Sequence, residues 1–186
     1  MAVHSILRSL AVAAALAVPA LALAQAVHVP GTSNPKLAGM PDGSTDGSDT
    51  APDESPVLFT GFDLIPGTVL HFSVTGVVGH CGGCEAETPD GSSYFNSSDA
   101  NGISGMNATL NSLVAVFLTD EQPDGSAAPA QLDFETFGTD FVTLSPLLKQ
   151  VFFIGDGLTG TGGRPTGPQP VPPPYSVPSD RHRTRE

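Results

Sequence analysis

The chain has 186 residues, with 21 Gly and 18 Pro. That length suits one domain, and that much backbone punctuation excludes long regular helices as the main architecture. Charged residues make up 14% and hydrophobic ones 39%, a balance that argues against disorder throughout. Nineteen acidic against seven basic residues give a formal charge of −12, so nucleic acid and anionic membrane surfaces are poor partners.

His4 and Arg8 precede an apolar run from Leu10 to Leu23 that closes in Ala22-Leu23-Ala24. A positive start, an apolar middle and small residues before the cut describe a secretory signal peptide. The run is too short for the roughly 20 residues that span a bilayer as a helix. Residues 1–24 are therefore expected to be removed after Ala24, or after Ala26 as the alternative. No second apolar segment is long enough to span, so the mature product is expected to be exported, secreted or periplasmic, without a membrane span.

Export changes how Cys81-Gly82-Gly83-Cys84 reads. A zinc site needs four ligands, and only His80 stands nearby. A thioredoxin-type pair opens a helix, which Gly82-Gly83 disfavours. In an oxidising compartment the expectation is a local disulfide between Cys81 and Cys84, closing a ring too short to stabilise by more than the ~3 kcal/mol of a 15-residue loop.

Residues 25–56 carry many turn formers and little periodic hydrophobicity, so they are expected to be irregular, with one short edge strand at Val27-His28-Val29. A β-sandwich domain is expected over residues 57–163. Val57 to Phe62 and Thr68 to Val78 are rich in β-branched and aromatic residues, separated by Pro66-Gly67. In the second, Val69, His71, Ser73 and Thr75 fall on one face and Leu70, Phe72, Val74 and Gly76 on the other, the pattern of an antiparallel strand with one buried side. His71 lies on the polar face and reads as a solvated or hydrogen-bonded histidine. The polar stretch from Gly79 to Asn111 reads as a functional loop or as disorder. Leu113 to Leu118 is a continuous apolar run that predicts a central strand buried on both faces. Asp120 to Ala130 is a turn-rich loop, and Asp133 to Phe141 is weakly amphipathic, offering Phe134, Phe137 and Phe141 to the core. Ser145-Pro146 predicts one helical turn, with Ser145 as its cap. Gln150 to Ile154 predicts a last strand.

Residues 164–186 hold seven prolines and four of the seven basic residues, so a disordered or polyproline-like tail is expected. Charge divides the chain at the same place. Residues 25–163 contain 17 acidic and two basic residues, a formal −15, whereas the tail's four basic and two acidic residues give +2.

Chemistry-bearing motifs are sparse. Asp42, Asp46 and Asp49 lie on a glycine-rich loop that calcium could use, but their spacing is not that of an EF-hand, and a solvated acidic loop is the simpler reading. Asn96-Ser97-Ser98 and Asn107-Ala108-Thr109 match the glycosylation acceptor pattern, which matters only in a eukaryotic secretory route. The mature chain offers His28, His71, His80 and His182 as bases, and no Ser sits in a nucleophile elbow. No catalytic residue is assigned, and the protein is expected not to be an enzyme. A glycosidase-like carboxylate pair stays open as an alternative, an extracellular hydrolase, without an aromatic platform to support it.

The order of segments carries one resemblance. Val29-Pro30-Gly31-Thr32-Ser33-Asn34-Pro35-Lys36-Leu37-Ala38-Gly39-Met40, Pro66-Gly67-Thr68-Val69-Leu70, Asn101-Gly102-Ile103-Ser104, Leu113 to Leu118 and Val151-Phe152-Phe153-Ile154-Gly155-Asp156-Gly157-Leu158-Thr159 resemble secreted bacterial proteins related to the PA-IL (LecA-like) galactophilic lectins. Many of those carry a PEP-CTERM sorting tail. The resemblance covers roughly Val27 to Gly162. It implies an all-β, antiparallel galactose-binding-like β-sandwich with long loops, extracellular glycans as partners and, in the true lectins, sugar held through bound calcium. Relatives continue into further strands and a tyrosine- and asparagine-rich loop that supplies the calcium ligands. Here the chain passes at Gly163 into Arg164-Pro165-Thr166, which reads as a shifted reading frame or a truncation of the family pattern. No metal or sugar ligand is therefore carried over, and the sandwich is expected to be incomplete, with an open edge beside Val151 to Ile154. A structural or matrix protein without a small ligand is the alternative function.

Intact-mass measurement of protein exported from a bacterial host should find chains that begin at Gln25 or Val27. A soluble product that retains residues 1–24 would contradict the leader.

Overall fold

The computed structural model describes residues 25–60, 68–79, 83, 85–123, 125, 127–141, 143–159, 164–165 and 169–170. The expected leader, the Cys81–Cys84 pair, His80, His182 and most of the tail lie outside the described residues. What is described is built mainly of short strands with one four-residue helix, an all-β fold.

The chain first makes a 3-10 turn at Pro35–Leu37. Asn34 caps it by accepting from the Lys36 amide at 2.9 Å, and Pro35 supplies a φ that suits a helical start. A tight hairpin follows, with β1 (Thr45–Asp46) against β2 (Asp49–Thr50). Its two-residue loop begins at Gly47, whose φ of 61° is the left-handed conformation that glycine adopts freely. The expected strand at Val27-His28-Val29 does not form; these residues are exposed and unpaired in any ladder.

From Thr68 to Thr75 the burial alternates as the sequence predicts. Leu70, Phe72 and Val74 are half-buried, and Val69, His71, Ser73 and Thr75 are exposed. Only β3 (Val69–Leu70) lies in a ladder, however, against β11 (Gln169–Pro170). Beyond it a single bond from Val74 N to Asp156 O, at 3.1 Å, holds the segment to the scaffold. Val57 to Thr60 are irregular, and Gly61 and Phe62 lie outside the described residues.

The polar stretch before Leu113 is not a plain loop. It contains β4 (Tyr94–Ser97), antiparallel to β5 (Met106–Thr109), with β7 (Leu132–Asp133) added in parallel on the far side of β5. Asn101 and Gly102 both have positive φ, 53° and 74°, between Ala100 and Ile103, whose backbones exchange two hydrogen bonds. This is an Asn-Gly turn of the primed type, whose twist suits a hairpin. Helix α1 (Phe134–Phe137) follows β7 directly, capped by Asp133.

A second sheet pairs β6 (Val114–Val116) with β8 (Val151–Phe153) in antiparallel register. β6 was expected to be a fully buried central strand. Its three residues are only half-buried, because β8 is its one strand neighbour here. The apolar load is carried by β8 instead, where Val151, Phe152 and Phe153 are no more than 2% exposed. The expected open edge at these residues is thus covered, in part by Ser104, whose Oγ accepts from Val151 N at 2.9 Å. The helical turn expected at Ser145-Pro146 is absent. The Leu147 amide is taken instead by the Gln150 side chain, at 2.9 Å.

Phe134, Phe152, Phe153, Ile154 and Ala108 form the main core, joined by half-buried Phe72, Val74 and Phe141. Phe134 stands at its centre, with ring centroids 5.6 Å from Phe153, 5.8 Å from Phe141 and 4.8 Å from Phe137. Within the tail, Arg164–Pro165 (β10) pairs with β9 (Leu158–Thr159), and β11 pairs with β3. Each tail strand is two residues long and holds a proline, which an edge position tolerates.

Phe134→Ala should cost about 3–5 kcal/mol, the range for losing a buried ring. Urea unfolding followed by far-UV circular dichroism would measure it.

Candidate functional site

Register sets a polar row across the first sheet. Asn96 of β4 faces Asn107 of β5, and Asn107 faces Asp133 of β7. Neighbouring strands lie about 4.8 Å apart, so the three side chains span about 10 Å, the width of a sugar ring and its hydroxyls. Tyr94, two residues before Asn96, falls on the same side of the sheet and is exposed.

The row is wired together by hydrogen bonds. The Asn107 amide nitrogen donates to Asp133 Oδ1 at 2.9 Å and to Glu135 Oε2 at 3.0 Å, one proton to each carboxylate. Gln131 Nε2 donates to Asn96 Oδ1 at 3.2 Å. Asp133 also caps α1, accepting from Thr136 N at 3.2 Å and from Thr136 Oγ1 at 2.6 Å. The Thr136 hydroxyl, with the Thr136 amide and Asn107 adding to it, holds the Asp133 carboxyl below its ordinary 3.8, and partial desolvation opposes them. Asn107 itself is 8% exposed with both amide protons used, so its glycosylation sequon is closed to an enzyme; Asn96 is exposed.

The acidic loop takes a different form from a calcium site. The hairpin turns Asp46 and Asp49 onto one amide, Asn34 Nδ2, which donates to them at 3.0 and 2.9 Å. Among the described residues no three His, Cys, Asp or Glu side chains are grouped to hold a metal. His28 and His71 are both exposed and stand on separate segments. Among the described residues no helix is long and apolar enough to cross a membrane.

Beside the hairpin lies a residue that sequence reading passed over. Lys36 is 3% exposed, and its Nζ donates to the Ser104 carbonyl at 2.7 Å. Burial lowers its pKa from 10.5, while Asp46 and Asp99 pull it back upward. Its own carbonyl accepts from Asn101 Nδ2 at 3.0 Å.

Neither Asn107, Asp133 nor Glu135 was singled out for chemistry from the sequence. The usable signal was Asn101-Gly102, which marks a hairpin and so places Asn96 and Asn107 side by side. No family model, curated protein or solved structure matches the chain.

Asn107→Ala should cost about 1–3 kcal/mol, because two carboxylates lose a buried donor. The depressed pKa of Asp133 fixes the sign of a pH effect. Its contribution is present above the unfolded value near 3.8 and is lost as pH falls through the lower folded value. Amide exchange at Thr136 should therefore rise in acid ahead of exchange in the core.

Proposed function

We propose that the protein is a secreted, non-catalytic carbohydrate-binding β-sandwich protein of the LecA-like kind, its two main sheets closing over Phe134, Phe152 and Phe153. The observation that carries the reading is the in-register row Asn96–Asn107–Asp133, flanked by Glu135, Gln131 and Tyr94. Sugar hydroxyls both donate and accept. A surface that alternates carboxylate oxygens with amide groups meets both needs, and an exposed tyrosine ring offers an apolar face beside them. Asp133 and Glu135 are pinned through Asn107, so little ordering is left to occur on binding. The formal charge of −12 favours neutral glycans over anionic ones. The row lies away from the calcium loop that the resemblance implies for true lectins, so binding here needs no metal.

A glycan array probed with and without EDTA tests this. Neutral glycans should bind equally under both conditions, and Asn96→Ala with Glu135→Ala should weaken them at least tenfold. Binding abolished by EDTA would move the site off the row, and an array without hits would remove the carbohydrate reading.

A further inference from the structure

The N-terminal lobe docks on the strand scaffold through a charge, and the arrangement points to a conformational device. We propose that the segment 34–55 is an acid-releasable strap, held in place by the buried ammonium of Lys36 between the carboxylates of the hairpin and of the β4–β5 connection.

The strap is closed on itself. Asn34 N donates to Glu54 O at 2.7 Å, Gly43 N to Ala51 O at 2.9 Å and Ala51 N to Ser44 O at 2.9 Å. Ser55 Oγ donates to Leu37 O at 3.4 Å. It meets the scaffold at few points. Lys36 Nζ reaches Ser104 O, Asn101 Nδ2 reaches Lys36 O and Thr45 O, and Ala38 packs with Ile103 and Val151. A separable segment with a small apolar footprint and a buried cation is poised between two positions.

The charges set which position wins. From the strap, Asp46 faces Lys36, with Asp49 tied to Asp46 through Asn34; from the scaffold, Asp99 faces it. Glu54 is engaged within the strap, its Oε2 accepting from Thr50 N, and Lys149 meets Ser104 through its backbone carbonyl. With Asp46 and Asp99 ionised, the ammonium is compensated; with both protonated, it keeps only the Ser104 carbonyl. A buried charge without compensation is among the costliest arrangements a fold can hold, and release returns it to water. Burial already lowers the Lys36 pKa against the pull of both carboxylates. The two couplings agree in sign: the released strap binds more protons, at Lys36 and at the carboxylates it leaves, so docking weakens as pH falls.

Hydrogen exchange on the full chain at pH 7 and pH 4, corrected for intrinsic rates, tests the device. Peptides covering 34–55 and the Ser104 amide should lose at least tenfold protection at pH 4, while peptides covering 106–117 and 150–155 keep theirs. Lys36→Met, with a stem of similar length and no charge, should keep the strap protected at both pH values. Should that variant fail to fold, Asp46→Asn with Asp99→Asn should release the strap already at pH 7. Equal acid sensitivity in Lys36→Met, retained protection in the wild type at pH 4, full protection in the double variant at pH 7, or simultaneous loss across strap and core would each overturn the proposal.

Discussion

Ser104 is fully buried, and the rest of the fold hangs on how its polar atoms are used. Its Oγ accepts from Val151 N, its amide donates to Lys149 O at 2.9 Å, and its carbonyl accepts from Lys36 Nζ. The constraint behind this is β8. A strand with Val151, Phe152 and Phe153 all but removed from water must satisfy its backbone without water, and β6 pairs only one of its edges. A serine hydroxyl caps the Val151 amide on the open side. That cap is stiff because Oγ also donates to Gly105 O at 2.8 Å. The same residue then presents a carbonyl outward to the N-terminal lobe, so the apolar core and the lobe share one anchor.

The polar row obeys a similar economy on the other sheet. Asn107 sits on a strand whose next residue, Ala108, belongs to the core, so its side chain is forced to the opposite side of the sheet. There it is nearly buried, and a buried amide needs partners for both protons. β7 runs beside β5 and passes straight into α1, which delivers Asp133 and Glu135 to that one amide. Phe134 lies between them in sequence and points the other way, into the aromatic core. One Asp-Phe-Glu stretch therefore serves core, helix cap and surface at once. Pinning carboxylates from below leaves their remaining lone pairs aimed at solvent, the condition a rigid hydroxyl-binding surface requires.

Much of this was legible in the chain, and the failures have physical causes. Period-two alternation from Leu70 to Thr75 gave the correct buried side, since pleating fixes which residues share a face whatever the ladder does. The apolar run ending at Ile154 was correctly read as a strand, and Phe134 was available to the core as expected. Leu113 to Leu118 misled because a continuous apolar run reports hydrophobicity and not the number of strand neighbours. Ser145-Pro146 misled because the N–H of Leu147, which a helical turn would have used, is claimed by Gln150, a partner no local pattern announces. The largest omission, β4 and β5, lay in a stretch too polar to read as sheet. One side of that sheet is the polar row itself, so the composition that hid the strands is the composition that makes the candidate site. The long-range partners Lys36 and Ser104 are 68 residues apart, beyond any periodicity.

Charge distribution links the two ends of this account. Residues 25–163 contain 17 acidic side chains and only Lys36 and Lys149 as cations. A surface shortage of cations leaves the carboxylates mutually repelling, so a fold of this composition gains from any cation placed among them. Both lysines meet at Ser104, one through its ammonium and one through its carbonyl. Lys149 takes a φ of 63° there, which a non-glycine residue adopts only where the surrounding contacts impose it. Lys36 is withdrawn from water in a protein that has few positive charges to spare. Burying it yields less Coulombic benefit than surface placement would cost in desolvation, unless the position of the acidic hairpin matters in itself. A hydrophobic residue at 36 would hold the lobe by packing alone, with no dependence on Asp46 or Asp99. The charged residue makes docking conditional on those carboxylates, and a lobe fixed conditionally differs from one fixed permanently in that its surroundings can change its state.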